Sequence, residues 1–275
     1  MASVNSNSLD LIKRLEQNEL AAMVDFIDSA PEMLRESSGI GYSMRGSALV
    51  SMMAKFDVLI FNRVIGLGLD NGLSEKEIDE IIAGYRKAGV RRFFIQLSPI
   101  AIQQGIQDLL SDRGFNHYNN WVRLYRPADP INSVRCGLKV ELIGKESASQ
   151  FAEIVTTAFG WPDESKEWVA AMVERPGWRH YMAFDGAVPA AAGACFITGD
   201  TAWIGFAATR EEYRNRGAQS AILARRIYDA RHAGCNLINV ETAEQTPERE
   251  APSYRNMRRY GFEIAYIRPN YLLNL

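Results

Sequence analysis

Cysteine and histidine are scarce in this sequence, with three of each among 275 residues. Cys136, Cys195 and Cys235 are odd in number, lie far apart and sit among small or apolar neighbours. That pattern excludes a disulfide scaffold and reads as buried, reduced thiols. His117, His180 and His232 are equally scattered, so no metal site is expected. No apolar run reaches the ~18 residues needed to cross a bilayer. The opening MASVNSNSLD lacks the basic-then-apolar order of a signal peptide, and a cytoplasmic location is expected. An excess of one charge is missing too, because 31 Lys and Arg face 33 Asp and Glu, a net −2. Neither nucleic acid nor a membrane surface is therefore expected as a partner. The common phosphate-binding fingerprints are absent. No G-x-x-x-x-G-K-[ST] occurs, and IGLGLDNG only imitates a dinucleotide loop, since Gly66, Gly68 and Gly72 are misspaced.

What is present is an ordinary globular composition, 47% hydrophobic and 23% charged, long enough for one large or two ordinary domains. Apolar spacing in SLDLIKRLEQNELAAMVDFIDSA predicts a helix pair, and KFDVLIFNRVIGLG reads as a β run. Ser74 and Glu77 form a capping-box pattern for a helix closed by Gly89. RRFFIQLSP, a helix over AIQQGIQDLLSDRG and an aromatic strand FNHYNNWVRLYRP follow. The proline-bearing PADPINSVRCG holds the predicted linker, residues 129–137. Beyond it, LKVELIGKE is a strand, two helices follow, and WRHYMAFDG, VPAAAGACFITGD and TAWIGFAATR form a meander with DG and GD turns. A helix over SAILARRIYDARHAG, a strand CNLINVETA, a short helix and a last aromatic strand complete the order. The fold class expected is α/β in the mixed α+β sense.

One pattern occurs twice: tyrosine, Ala-Gly, strand, helix, Gly-Phe, aromatic strand. It uses Tyr85, Gly89, Gly114 and Phe115 first, then Tyr228, Gly234, Gly261 and Phe262. Gly89 to Gly114 spans 25 residues and Gly234 to Gly261 spans 27. Matched order and spacing favour duplication over coincidence.

The most informative stretch is TAWIGFAATREEYRNRGAQSAILARRIYDARHAG. A strand ends near Ala208, a polar loop follows, and a long helix begins near Ser220. The first amides, on Gly217, Ala218, Gln219 and Ser220, lack intrahelical acceptors and lie at the positive end of the helix dipole. They suit a pyrophosphate. Gly217 permits close approach, and Arg214 and Arg216 add donors and charge. An ordinary strand–helix turn with a solvated arginine loop is the competing reading.

This loop resembles the signature of the GNAT superfamily of acyl-CoA N-acyltransferases: Arg or Gln, two residues, Gly, any residue, then Gly or Ala. Here it reads Arg214-Asn215-Arg216-Gly217-Ala218-Gln219, with Gln219 departing at the last small position. The resemblance covers Leu138 to Leu275 in element order. Together with the repeat it implies two tandem GNAT-like domains, each a central mixed, mostly antiparallel sheet flanked by helices. Residues 1–128 form a degenerate copy and 138–275 bind acetyl-CoA. By resemblance, Phe206, Ala207 and Ala208 lie on the strand that pairs with the pantetheine arm, splayed from CNLINVETA. The first half offers Glu75 and Glu77 where the second offers arginine, which would repel a pyrophosphate.

The implied activity is direct acetyl transfer from acetyl-CoA, as co-substrate, to the amine of a small molecule or peptide. A non-catalytic CoA-binding regulatory or interaction module is the alternative, and homodimerisation stays open. Many family members use a tyrosine four residues before the Gly-Phe glycine as the acid. Met257 stands there, so Tyr254 is the candidate acid, with plain packing as its competitor. Glu241 and Glu244 follow the splayed strand. Glu241 is the candidate base, and a solvated loop charge is the bland reading. Arg255, Arg258 and Arg259 read as a solvated helix face or as contacts to the CoA 3′-phosphate. Trp161, Trp168 and Trp178 fall where the family lines its acceptor pocket, with core packing as the competing reading.

Overall fold

The computed structural model describes residues 6–70, 74–131 and 134–275. Gly72, the centre of the linker and the first five residues lie outside the described residues. The first half contains α1 Ser6–Asp28, α2 Glu32–Ser38, the strands β1 Ile40–Arg45, β2 Ala48–Met53 and β3 Arg63–Ile65, then α3 Glu75–Lys87 and β4 Arg92–Gln96. It ends with α4 Pro99–Gln103, α5 Ile106–Ser111 and β5 Asn116–Pro127. The second half has β6 Lys139–Leu142, α6 Ala148–Phe159, α7 Ser165–Ala171 and the meander β7 Trp178–Asp185, β8 Val188–Thr198 and β9 Thr201–Thr209. It closes with α8 Ala218–His232, β10 Leu237–Ala243, α9 Pro252–Arg259 and β11 Glu263–Asn274.

Three local expectations are corrected. The predicted helix pair is one 23-residue helix, α1, because no Gly or Pro interrupts it before Pro31. KFDVLIF is a loop rather than a strand. The Asn62 side chain accepts from Met53 N at 2.9 Å and donates to the Met53 and Phe56 carbonyls, taking the place of a ladder. AIQQGIQDLLSDRG splits into α4 and α5 at Gly105, whose φ of 73° no helix accommodates. The β1–β2 hairpin, turning at Gly46, has no counterpart in the sequence reading.

Among the described residues, eleven strands join one sheet, in the order β1-β2-β3-β4-β11-β5-β10-β9-β8-β7-β6. Most neighbours are antiparallel, but β3 with β4 and β9 with β10 are parallel. The halves exchange their last strands. β5 pairs with β10 of the second half, β11 pairs with β4 of the first, and β5 and β11 pair with each other at the centre. Each parallel pair is thus finished by the other half's final strand. The repeated glycines do matching work at the turns, with positive φ of 74° and 82° at Gly89 and Gly114, and 93° and 79° at Gly234 and Gly261.

The halves also share a core. Phe26 of α1 stacks on Trp168 of α7 at 4.2 Å between ring centroids, and Phe61 meets Trp168 at 4.9 Å. These rings belong to one buried cluster that includes Phe151, Phe206 and Leu49. Burial of each large ring contributes roughly 1.5–3 kcal/mol, so neither half keeps its core without the other. Among the described residues, no helix is long and apolar enough to cross a membrane.

Candidate functional site

Strands β9 and β10 pair only over Thr201–Trp203 with Leu237–Asn239. Beyond that they diverge, while β9 stays paired to β8 and β10 to β5. A cavity of about 540 Å³ lies at the divergence, lined by Gly205, Phe206 and Ala207 on one side and Val240, Glu241 and Thr242 on the other. A bulge opens the β9 edge. Ala194 pairs with Gly205 and Ala192 with Ala208, so Phe206 and Ala207 face the single residue Gly193. Phe206 takes φ 51°, a left-handed conformation that is strained for a bulky residue and typical of functional sites. Ala207 is exposed toward the cavity. Ala208 is buried against β8 and does not line it.

The anion loop leaves β9 through a 3-10 turn, Glu211–Tyr213, and reaches α8 through Asn215 and Gly217, with φ 63° and 81°. No side chain caps α8, so its first amides face outward unsatisfied. Arg214 is exposed, 3.9 Å from Glu211. Arg216 pairs with Asp185 at 2.9 Å and covers the Tyr213 ring. The glycine has a different reason from the one expected. A Cβ at Gly217 would stand 2.9 Å from the Arg135 carbonyl oxygen, so the linker backbone itself enforces the glycine. Ala218 is buried in the core under α8.

Gln219 explains its own departure from the motif. Its Nε2 donates to the Ala208 carbonyl at 2.6 Å, the Thr209 hydroxyl at 3.0 Å and the Ala192 carbonyl at 3.1 Å. The side chain turns inward and ties α8 to β8 and β9, away from the amide-lined mouth. Gln219→Ala is expected to lower stability by roughly 1–3 kcal/mol, because strand carbonyls lose a buried donor. If the loop takes a pyrophosphate ligand such as CoA, its affinity should stay within about threefold. Thermal melts and calorimetry on the same samples check both halves of this statement. The Ser220 side chain is likewise engaged, accepting from Arg259 at 3.0 Å.

Under the cavity lies a buried charge cluster. The guanidiniums of Arg63 (β3), Arg123 (β5) and Arg268 (β11) face the carboxylates of Glu16 and Glu19 (α1) and Glu241 (β10). Arg268 bonds Glu241 and Glu19 at 2.7 Å and Glu16 at 2.8 Å. Arg123 bonds Glu19, and Arg63 stands 3.5 Å from both Glu19 and Glu241. The Tyr266 hydroxyl donates to Glu16. Burial works to raise Glu19, but Arg123, Arg268 and Arg63 together hold it well below the usual carboxylate range. Glu241 shifts the other way. Burial and the charge of Glu19 raise it above its ordinary 4.5 despite the same arginines. Glu241 also lines the cavity.

Residues 148–262 match the family model described as "Acetyltransferase (GNAT) family". The matched stretch lies wholly within the C-terminal half and covers α6 to Phe262. The whole chain is similar in fold to a GCN5-related N-acetyltransferase from Kribbella flavida, at 15% identity and a TM-score of 0.59, covering 90% of this chain and 94% of that one. A GCN5-related N-acetyltransferase from Sphaerobacter thermophilus matches at 14% identity and a TM-score of 0.60, over 88% and 84%. A tandem GNAT protein from the clavulanic acid biosynthesis pathway matches at 18% and 0.55, over 77% and 74%. These likenesses show the tandem GNAT fold. No curated protein matches the sequence.

In the C-terminal half, Tyr254 packs against the core under α8 and is not among the residues lining the cavity. Ser253 and Met257 line it instead, because a helix turns neighbouring side chains to different faces. Glu244 accepts from Asn120 at 2.8 Å, outside the cavity lining. The α9 arginines are not a bare solvated face. Arg255 pairs with Glu250, Arg258 donates to the Phe262 carbonyl, and Arg259 reaches Ser220 in the first turn of α8. Trp161 and Trp168 line the cavity, whereas Trp178 donates to Asp25 at 2.8 Å and packs in the core.

The buried charged residues of the cavity wall that the sequence reading missed are Glu19, Arg63 and Arg226. Arg226, on α8, is buried and donates to the Ala194 and Gly205 carbonyls at 3.2 and 3.3 Å, on either side of the bulge. Burial pulls it down to about 10, which leaves it charged at neutral pH. Its available signal was an arginine among apolar helix positions. Arg123 and Arg268 had a better one, since both follow an aliphatic residue in the paired central strands (Val122-Arg123 and Ile267-Arg268).

The corresponding helix start of the first half is closed. Ser74 accepts from Glu77 N, and Glu77 accepts from Ser74 N at 2.8 Å, a complete capping box. Its own carboxylate therefore occupies donors that α8 leaves open.

Proposed function

We propose that this chain transfers an acetyl group from acetyl-CoA to a primary amine by direct attack. The observation that carries the reading is Glu241, a buried carboxylate with a raised pKa at the β9–β10 divergence. The first-turn amides of α8, with Arg214 and Arg216, hold the pyrophosphate, and the Phe206–Ala207 edge takes the pantetheine arm. Acetyl-CoA supplies an activated acyl carbon. Glu241, directly or through one water, takes the proton of the incoming ammonium. The freed nitrogen lone pair forms the C–N bond as the C–S bond breaks, and the thiolate leaves with that electron pair. Arg226 sets a positive charge beside the bulge, where charge develops on the thioester oxygen and sulfur. The acylated nitrogen sheds its remaining extra proton to solvent, and solvent returns a proton to the thiolate, since Tyr254 lies off the cavity. Units 1–128 and 138–275 act as one body joined by 129–137, in the cytoplasm.

Met257 at the usual acid position favours a second reading, a non-catalytic CoA-binding module, and turnover separates the two. The binding step is checked by calorimetry on the full chain. One CoA per chain is expected, and two would restore a site to the first half. The double variant Arg214→Glu, Arg216→Glu should weaken CoA by roughly tenfold or more while pantetheine, which lacks the pyrophosphate, binds as before. Equal losses for both ligands would remove the loop from the site.

A further inference from the structure

We infer that the acceptor is a primary amine on a short chain carrying an aromatic body and no second charge. The inference rests on the acyl-transfer reading for its chemistry, but its recognition elements stand apart from the CoA loop. Beyond Glu241 the cavity is walled by Phe26, Phe61, Trp161, Trp168 and Phe206. These rings come from five separate segments. Phe61 and Trp161 lie 4.7 Å apart between centroids, and Trp161 and Phe206 lie edge-on at 6.2 Å. The faces and edges these rings turn to the cavity suit a further flat ring, which aromatic groups meet edge-on or offset.

The polar end is equally specific. Glu241 is only 7% exposed, and its ionised form is disfavoured by burial and by Glu19. Its cluster side is already held by Arg268 at 2.7 Å, so on its cavity side an ammonium is the group it attracts, and the tryptophan faces add a cation–π attraction. The other charged groups lining the cavity are engaged. Arg63 and Glu19 bind each other and the buried cluster, Arg226 donates to two carbonyls, and Glu250 pairs with Arg255. Arg249 lies exposed, with no buried position from which to hold a carboxylate inside. A second charge on the acceptor would be desolvated among aromatic walls without a partner.

The test uses the full chain with acetyl-CoA and four amines, followed by thiol release: 2-phenylethylamine, ethylamine, phenylalanine and 1,5-diaminopentane. The value of kcat/KM for 2-phenylethylamine is expected to exceed each of the others by about tenfold or more, the worth of burying one ring. In parallel, tryptophan fluorescence without CoA should be quenched saturably by 2-phenylethylamine, since Trp161 and Trp168 lie in the cavity wall. Trp161→Ala should shrink the preference over ethylamine to below about threefold, and Trp161→Phe, which keeps a ring, should retain most of it. Quenching without thiol release for any amine would sink the acyl-transfer reading and leave the ligand class standing. Faster thiol release with phenylalanine or the diamine would overturn the acceptor class and leave acyl transfer standing. Absence of both quenching and preference would overturn the inference, including in Trp161→Phe if Trp161→Ala does not fold.

Discussion

Glu241→Gln is expected to lower kcat/KM by roughly 10²–10⁴-fold, the usual contribution of a positioned base, while CoA binds within about twofold of the parent. The amide keeps the shape and an acceptor for Arg268 but cannot take a proton. The pH dependence sharpens the test. As the proposed base Glu241 must be ionised, and its pKa is raised from 4.5, first by burial and then by Glu19. Activity in the parent chain should therefore fall as pH drops through a value above 4.5, and that acidic limb should be missing in the glutamine variant. The alkaline part of the profile, set by the amine's own pKa near ~10.4, should be shared by both. An identical acidic limb in the variant would show that another group, or the substrate alone, titrates there.

Arg268→Met should destabilise the fold by about 3–5 kcal/mol, a fall in Tm of roughly 10 °C. Arg268 is fully buried and is the cation that bonds Glu16, Glu19 and Glu241 together. Removing it leaves three carboxylates facing two guanidiniums with no water to screen them. The sign of the pH effect follows. Glu19 has a depressed pKa in the folded chain, so its contribution is present above 4.5 and is lost as pH falls through the depressed value. In the variant the carboxylates lose their strongest partner and protonate more readily on folding. The gap in Tm between parent and variant should thus narrow as pH is lowered toward 4.5. A gap under about 2 °C at pH 7, or one that ignores pH, would mean that the cluster is already compensated without Arg268. Because β11 is shared between the halves, melting should remain a single transition in both proteins.

The sequence by itself determined what acts over a few residues. The bare start of α8 follows from Arg214 to Gly217 and the lack of a capping side chain there, and the closed start of α3 follows from Ser74 and Glu77. The repeat was legible because its glycines must take positive φ wherever the copy occurs. The splayed edge at Phe206 and Ala207 came through resemblance alone. Only the tertiary structure decided the rest. Which side of α9 meets the cavity turned Tyr254 away and brought Ser253 and Met257 in. Gln219 looked like a defect in a phosphate loop until β8 and β9 supplied its acceptors. The exchange of β5 and β11 leaves no local mark, since either order satisfies the same alternation of side chains. The charge cluster under the cavity joins Glu16 to Arg268 across 252 positions. A buried arginine is legible in a strand, but its partner is chosen by folding, because only burial makes so distant a pairing worth its desolvation.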